Sequence, residues 1–287
     1  MNPTAEADAL QAAPAPSAEV VDYFSRIREP KAKGPIGYTP AALEEIVRRL
    51  RDTGFRVVDL TVNPSDFRAY FEASRYTELY PGYYAYNIHE KALEHFVAAT
   101  LLSLDPGDTY IDVASEHSPA AEIYGRLFGC KTFRQDLAYP EGMNGDRIGG
   151  DAASMPVPDG FASKMALHCS FEHFEGDADM RFARQLDRVL RKGGRACFLP
   201  LYLFTQFAVQ TDAQVAVEQS VSFDEGAIIY CHDGWANRHA RFYDPEHLES
   251  RFARNLNGLD LTLYQIVNAA EIDPSCYLRF AAVATRP

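Results

Sequence analysis

Two carboxylates stand where a nucleotide-like ligand could use them. Asp112 lies in the apolar segment TYIDVA (109–114), and Asp136 lies in KTFRQDL (131–137), 24 residues further along the chain. Both segments are predicted to be strands, and open parallel sheets bind ligands outside the carboxyl ends of their strands. A carboxylate at that place in the second strand can accept hydrogen bonds from both hydroxyls of a ribose. The spacing predicts a ribose site at Asp136, with an ordinary surface-loop aspartate as the alternative.

Histidines at the end of a later strand could move protons near neutral pH. The segment ASKMALHC (162–169) is predicted to be a strand that ends at His168 and Cys169, and Glu172-His173 opens the next helix. His173 is the first candidate for a general base because imidazole titrates near neutrality. A histidine held at the helix start by packing is the alternative. No activating partner of Cys169 is evident beside it in the sequence, so we expect an inert, buried thiol.

A third polar group follows the predicted strand EGAIIYC (225–231). His232, Asp233 and His239 lie around Trp235, which is the single tryptophan. These side chains could supply a base or ligate a divalent ion, but a His-Asp pair alone is poor evidence for a metal. Hydrogen bonding within the loop is the alternative. We therefore keep His232 and Asp233 as candidate catalytic residues and expect no metal site.

Alternating strands and helices from residue 105 onward would position these side chains. Strands are predicted at 109–114, 131–137, 162–169, 195–203, 225–231, 259–267 and 276–285, and helices at 118–129, 177–194 and 244–255. A long glycine-rich connection is expected over 138–150. Such alternation requires a mostly parallel sheet with helices on both faces. The predicted fold class is therefore α/β.

The N-terminal part of the chain has a different pattern. Residues 1–20 are rich in Ala and Pro and are predicted to form a disordered tail. Residues 21–104 are predicted to form a helical cap, and 105–287 the α/β domain. The elements expected in the cap are helices at 39–50 and 89–102 and a short strand at 55–62. Aromatic residues crowd 67–86, either as the core of a small helical subdomain or as a wall over a ligand pocket.

The composition excludes several classes of protein. Hydrophobic residues make up 47% and charged residues 24%, as in globular proteins. The formal net charge is −12, which disfavours nucleic acid because its recognition needs clustered cations. The 5 cysteines form no C-x-x-C pair, so neither a disulfide framework nor structural zinc is expected. No signal peptide and no membrane span are expected, which predicts a cytoplasmic protein.

The segment YIDVASEHSPAAEIYGR (110–126) resembles the first motif of class I S-adenosylmethionine-dependent methyltransferases of the type 11-like group. That motif is an acidic residue followed by alternating glycines. In this chain the glycine positions hold Ala114, Glu116 and Ser118, so the motif is degenerate. Glycine normally lets the backbone approach the ligand there without a side-chain clash.

Further segments extend the resemblance over about 105–285. The stretch GGDAASMPVPDGFASKMALHCSFEHF (149–174) is similar to the part of these enzymes that contacts adenine, and 190–203 and 238–252 match later segments. The resemblance implies a Rossmann-like sheet of seven mostly parallel strands with an antiparallel last strand. It also implies S-adenosyl-L-methionine as the cofactor.

The resemblance assigns roles to individual residues. Asp151 would accept from the adenine amino group, the Ala152 amide would donate to a ring nitrogen, and Met155 would pack against the adenine face. Asp136 would hold the ribose, and His168 would face the methionine end. The full set of implied cofactor-binding residues is Asp112, Ala114, Ser115, Glu116, Asp136, Asp151, Ala152, Met155 and His168.

Three functions are compatible with these residues. The leading hypothesis is a methyltransferase acting on a hydroxyl of a small molecule, such as a sugar or glycan precursor. The second is a methyltransferase-fold protein without catalysis that binds or scaffolds a partner, which the missing glycines favour. The third is a nucleotide-dependent enzyme of another Rossmann type. The sequence leaves the acceptor, a homo-oligomer and any lid role of the N-terminal part open.

Overall fold

A mostly parallel sheet of eight strands forms the centre of the molecule in the computed structural model, which describes residues 38–232 and 234–287 together with Ala18 and Pro35. Apart from Ala18, the predicted tail over 1–20 lies outside the described residues. The strands are β1 (Arg56–Leu60), β2 (Thr109–Val113), β3 (Lys131–Asn144), β4 (Arg147–Gly149), β5 (Ala162–His168), β6 (Leu190–Leu199), β7 (Ala208–Thr211), β8 (Ile228–Cys231), β9 (Ala240–Phe242), β10 (Asp260–Ile266) and β11 (Phe280–Thr285). Strands β7–β9 form a second, smaller sheet.

The strand order in the large sheet is β1-β10-β11-β6-β5-β2-β3-β4. Strand β11 runs antiparallel to both of its neighbours, and the other strands pair in parallel. The first half of β3 also pairs with β4 in parallel, whereas its second half, up to Asn144, folds back on β4 in antiparallel register. The predicted α/β fold with an antiparallel last strand is therefore confirmed. The membership of the sheet differs from the predicted seven strands. The strand predicted over 225–231 is β8, which lies in the second sheet, whereas β4 and β1 join the large sheet, β1 from the segment assigned to the cap by pairing with β10 at the edge.

Helices cover both faces of the sheet. They are α1 (Pro40–Asp52), α2 (Pro64–Ser74), α3 (Tyr76–Leu79), α4 (Ile88–Leu102), α5 (Ala120–Phe128), α6 (Ala178–Val189), α7 (Ala213–Glu218), α8 (Pro245–His247) and α9 (Ala269–Ile272). Helices α1 and α6 pack in the core on one face, and α2, α4 and α5 pack on the other. Within the described part of the chain, each helix is too short or too polar to cross a bilayer. The division of the chain at residue 104 stays a prediction.

Local sequence explains where α1 begins. The hydroxyl oxygen of Thr39 accepts a hydrogen bond from the Ala42 amide at 3.2 Å, and Pro40 occupies the first helical position, where no amide donor is needed. Ile46, Val47 and Leu50 then bury one face of the helix against the sheet. Capping and apolar periodicity therefore fix this helix, as the sequence predicts.

Several predicted boundaries differ from the structure, and two of them concern strands of the large sheet. The connection expected over 138–150 is mostly strand, since β3 continues to Asn144 and β4 follows after a tight turn at Gly145, whose φ is +67°. An Asn-Gly pair is a hairpin signal, because glycine readily takes a left-handed backbone. The helix expected over 177–194 ends at Val189, because β6 begins at Leu190. A β-carbon on Gly194 would lie 2.7 Å from the Arg191 carbonyl oxygen. Gly194 therefore allows the backbone to pack closely at the start of β6.

A buried arginine joins the second sheet to the large one. The guanidinium of Arg241 in β9 contacts Asp224 at 2.8 Å and Asp179 of α6 at 3.2 Å, and all three side chains are almost fully buried. The same guanidinium donates to the carbonyl oxygens of Phe174 at 2.6 Å and Gly176 at 3.0 Å. Arg241 therefore holds in place the segment that follows β5.

Two histidines lie in the core between α4 and the sheet. The rings of His95 and His168 contact each other with centroids 4.5 Å apart, and His168 Nε2 lies 3.4 Å from the Tyr110 hydroxyl. Burial lowers the pKa of His168 to about 3, with the Lys91 charge adding to the effect. Burial also lowers the pKa of His95 well below its usual value. Both imidazoles are therefore neutral in the folded protein at neutral pH.

We expect acid to destabilise the protein through this histidine pair. A histidine with a depressed folded pKa gains its proton first in the unfolded chain, so stability is lost as pH falls from about 6.5 towards 3. Each histidine contributes a slope of roughly 1.4 kcal/mol per pH unit in that window. His168→Gln should flatten the dependence of the free energy of unfolding on pH, measured by urea titration. His117→Gln is the control, since that side chain is 84% exposed. Parallel curves for the two variants would contradict the assignment.

Candidate functional site

A cleft of about 650 Å³ opens beyond the carboxyl ends of β2, β3 and β5. Its size lies in the range of small-molecule sites. The residues that line it are Tyr84, Ala114, Glu116, Gln135, Asp136, Leu137, Asp151, Ala152, Cys169, Ser170, His173, Phe174, Glu175, Ala178, Arg181, Asn237 and Arg238. Several candidate residues from distant segments therefore meet here, where ligands of open α/β sheets bind.

The turn after β2 keeps the backbone shape that glycines normally provide. Ala114 has a φ of +51° and Glu116 a φ of +36°, both in the left-handed region. These are two of the positions where the resemblance expects glycine. The side chains of Glu116 and His117 are 68% and 84% exposed, so neither fills the space under the turn. The cleft that the turn and Asp136 line is open.

Backbone amides hold the side chain of Asp136 against this turn. One carboxylate oxygen accepts from the Glu116 amide at 2.9 Å, and the other accepts from the Ala138 amide at 2.9 Å. The Ser115 amide donates to the Gln135 carbonyl oxygen at 3.0 Å, and Ser115 is buried beneath the turn. The carboxylate of Asp136 is therefore oriented before any ligand arrives.

An exposed apolar side chain follows Asp136. Leu137 is 75% exposed and lines the cleft. The sequence interpretation missed Leu137 because a leucine at the end of a predicted strand is expected to lie in the core. Exposure of an isolated leucine beside a carboxylate in a cleft fits contact with an apolar ring face.

The segment after β4 contributes Asp151 and Ala152. Asp151 caps the short 3₁₀ turn Ala152–Ser154 by accepting from the Ala153 amide at 2.9 Å, and it also pairs with Arg181 at 2.9 Å. Met155 is only 1% exposed and packs in the core, so it does not line the cleft. We therefore keep Asp151 and Ala152 in the candidate site and leave Met155 out of it.

Asp112 and His168 also lie outside the cleft. Burial raises the pKa of Asp112 to about 7, against the opposing effect of hydrogen bonds from Ser118, Tyr110 and the Ala121 amide. His168 lies in the core with Tyr110. Both side chains point to the face of the sheet that carries α4 and α5, because alternate strand residues point to opposite faces. Asp112 therefore supports the start of α5, and its contact with a ligand stays a prediction.

His173 lines the cleft and has a defined tautomer. Its Nδ1 donates to the His239 carbonyl oxygen, which leaves Nε2 as the acceptor nitrogen. The Glu172 carboxylate lies 3.6 Å from Nε2. Burial raises the pKa of Glu172. The arrangement is suited to accepting a proton, since the carboxylate would stabilise the imidazolium.

His232 is not part of the cleft wall. Its ring stacks on Trp235 with centroids 6.1 Å apart, and its Nδ1 lies 3.5 Å from the Gln210 side-chain nitrogen. Asp233 lies outside the described residues. Among the residues that the structure describes, no three His, Cys, Asp or Glu side chains are grouped to hold a metal ion. His232 stays a prediction without a place in the cleft.

Negative charge predominates among the ionisable residues of the cleft wall. Both arginines in the wall are already paired, Arg181 with Asp151 at 2.9 Å and Arg238 with Glu175 at 2.6 Å. Glu116 and Asp136 add two further carboxylates. Such a wall favours hydroxyl donors and a cationic group over a phosphate.

Sequence reasoning missed the partners of Cys169. Lys91 Nζ lies 2.6 Å from Cys169 Sγ, and the thiol lies 3.3 Å from a Glu94 carboxylate oxygen. Both partners come from α4, so the residues next to Cys169 in the sequence do not indicate them. Tyr84, which also lines the cleft, places its ring 4.8 Å from Lys91 Nζ, whereas Tyr70 and Tyr76 from the same aromatic stretch are core residues.

The chain is similar to several solved structures of methyltransferases. No family model and no curated protein matches it. A geranyl diphosphate C-methyltransferase from Streptomyces coelicolor A3(2) is 12% identical over 96% of this chain and 100% of that chain, with a TM-score of 0.44. A 1,6-didemethyltoxoflavin-N1-methyltransferase from Burkholderia thailandensis is 11% identical over 80% and 93%, with a TM-score of 0.43. A SAM-dependent methyltransferase from Aquifex aeolicus is 10% identical over 79% and 100%, with a TM-score of 0.41. At these identities and TM-scores, the likeness adds nothing to the topology already described.

Proposed function

We propose that the chain is an S-adenosylmethionine-dependent methyltransferase whose cofactor binds between the turn after β2, Asp136 and Asp151. One observation carries the proposal. The turn holds left-handed backbone at Ala114 and Glu116 although neither is glycine, and its amide fixes the Asp136 carboxylate at the edge of an open cleft. Strained backbone of this kind persists where the surroundings over-determine it, which is common at ligand sites.

The charge of the cleft supports this cofactor over a dinucleotide. A diphosphate needs free cations or a helix N-terminus with exposed amides. Here Arg181 and Arg238 are paired with carboxylates, and Glu116 stands at the turn. A ligand with ribose hydroxyls and positively charged groups meets complementary acceptors instead. A nucleotide-dependent enzyme of another Rossmann type is therefore disfavoured.

Each proposed contact uses a group that already faces the cleft. Asp136 accepts from the ribose hydroxyls, Leu137 packs against the base, and the Asp151–Ala152 segment meets the edge of the adenine. The bound cofactor supplies an electrophilic methyl group on a sulfonium. Because methyl transfer is an in-line displacement, the chain mainly positions its two reactants. For a hydroxyl acceptor, His173 Nε2 takes the proton, and Glu172 stabilises the imidazolium.

The acceptor side of the proposal is coarser. We propose a hydroxyl of a small molecule, such as a sugar or glycan precursor, because Tyr84, Asn237 and Glu175 add an aromatic ring and polar groups to the cleft wall. The competing proposal is a scaffold without catalysis. Calorimetry with S-adenosylhomocysteine should give micromolar binding for the enzyme, whereas no binding at millimolar concentration would favour the scaffold. Transfer of label from methyl-labelled S-adenosylmethionine into a small-molecule extract then separates an enzyme from an inactive binder.

Asp136→Ala should weaken binding of S-adenosylhomocysteine by an order of magnitude or more. A hydrogen bond to a charged group contributes about 1.5–3 kcal/mol, and this carboxylate is proposed to hold two hydroxyls. Calorimetry on the variant measures the loss. Asp136→Asn keeps an oxygen acceptor for the turn and separates loss of charge from collapse of the turn. Asp66→Ala is the control, because Asp66 is exposed in α2. Unchanged affinity in both Asp136 variants would remove the ribose site from the proposal.

Leu137→Ala should weaken the same binding about 3- to 30-fold without lowering stability. Removing the side chain loses up to about 2 kcal/mol of apolar contact with the base in the complex. The free energy of unfolding should hold, because the side chain is 75% exposed without ligand. Val267→Ala is a matched control at another exposed apolar residue, 48% exposed and absent from the cleft wall. Equal affinities in the two variants would contradict the proposed contact.

A further inference from the structure

A lysine, a glutamate and a cysteine meet at the floor of the cleft. Lys91 Nζ lies 2.9 Å from a carboxylate oxygen of Glu94 and 2.6 Å from Cys169 Sγ, and the thiol lies 3.3 Å from the same carboxylate oxygen. Lys91 and Glu94 are almost fully buried, whereas Cys169 lines the cleft. The proposed methyl transfer uses none of these three groups.

The nitrogen–sulfur distance is the unusual feature of this cluster. An N–H···O hydrogen bond spans about 2.9 Å, and sulfur is larger than oxygen, so a relaxed N–H···S contact is longer than that. A separation of 2.6 Å instead matches two atoms joined through one bridging atom. The backbone also holds the thiol in position, because Cys169 has a φ of +47° and its amide donates to the Leu199 carbonyl oxygen at 2.9 Å.

We propose that Lys91 and Cys169 form an oxidative modification site, at which dioxygen joins the amine and the thiol through a single oxygen atom. The S–H bond and one N–H bond break, and an N–O and an O–S bond form. Dioxygen takes up four electrons from the pair; one of its atoms stays in the bridge and the other leaves as water. This modification is separate from the proposed methyl transfer and requires no cofactor.

Glu94 provides the proton step that the reaction needs. Lys91 must lose its ammonium proton before nitrogen can form a bond, and the Glu94 carboxylate at 2.9 Å accepts it. Burial raises the pKa of Glu94 to about 8, which makes this carboxylate a stronger base than an exposed one. Against the effect of its burial, Cys169 and Glu94 raise the pKa of Lys91 as well, so Glu94 takes the proton as the nitrogen forms its bond. The lysine charge and the carboxylate charge disappear together, which leaves no unpaired charge buried at the floor.

The bridge would join α4 to the end of β5. Because the two residues are 78 positions apart in the chain, a covalent link between them constrains the unfolded chain as a disulfide does. The oxidised protein should therefore melt at a higher temperature than the reduced protein. The difference should vanish after treatment with excess dithiol, which returns the thiol and the amine.

Mass spectrometry of the full chain tests the proposal. Purified protein is held in air-saturated buffer without reductant, and its intact mass is compared with that of dithiol-treated protein. One bridge makes the chain about 14 Da heavier, whereas a sulfenic or sulfinic acid adds about 16 or 32 Da. Tryptic digestion should then give a peptide pair linked through Lys91 and Cys169. Free Cys169 that is fully alkylated after air exposure, without a linked pair, would overturn the proposal.

Three variants locate the link. Lys91→Arg keeps the positive charge but offers no amine, and Cys169→Ser offers no thiol, so both should lack the 14 Da species. Cys231→Ser, at a half-buried cysteine of β8, should retain it. Oxidation of Cys169 to the same acid in wild type and in Lys91→Arg would mean that the lysine forms no bond. Should a variant fail to fold, the linked peptide from the wild-type chain still decides the matter.

Discussion

The contact between the Glu116 amide and the Asp136 carboxylate is the constraint on which the candidate site depends. It joins the turn that follows β2 to β3 at the point where the parallel pairing of these two strands ends, and it exists because they pair with Val113 opposite Gln135. A shift of one residue in that register would turn Asp136 to the other face of the sheet. The strand pairing in the core therefore determines the shape of the cleft, and the proposed binding rests on the same pairing.

The sequence predicts which residues stand at strand ends better than which way they point. Asp112 and Asp136 both lie near the end of a predicted strand, yet Asp112 is buried on the face under α5 and Asp136 faces the cleft. His168 and Cys169 are neighbours in the chain, yet only Cys169 lines the cleft. Orientation depends on the residue at which each strand begins to pair, and that is set by tertiary contacts. Periodicity alone therefore predicts the fold and the edge of the sheet at which the site lies, but not which side chains line the cleft.

Helix α4 illustrates a different limit of sequence reasoning. Its apolar stripe correctly predicts a helix, but Glu90, Lys91, Glu94 and His95 are buried as well. Glu90 accepts from the Tyr277 and Leu278 amides at 2.8 and 3.2 Å, so it ties the C-terminal part of the chain to this helix. When the long-range partners are unknown, a helix with polar residues on two sides is predicted to be half-exposed. The missing information is the chain segment that each polar group meets, which lies far away in sequence.

The residues that replace glycine in the motif lower the stability of the turn, but they leave the site in place. An L-residue in left-handed backbone costs about 1–2 kcal/mol, so Ala114 and Glu116 together place a measurable strain in the turn. The hydrogen bonds from Ser115 and Glu116 to Gln135 and Asp136 of β3 hold the turn against that strain. Because the backbone keeps the shape and the Glu116 side chain points to solvent, the space that glycines would leave is still present. Missing glycines therefore lower the stability of the turn, and they are not by themselves a reason to assign the chain to an inactive scaffold.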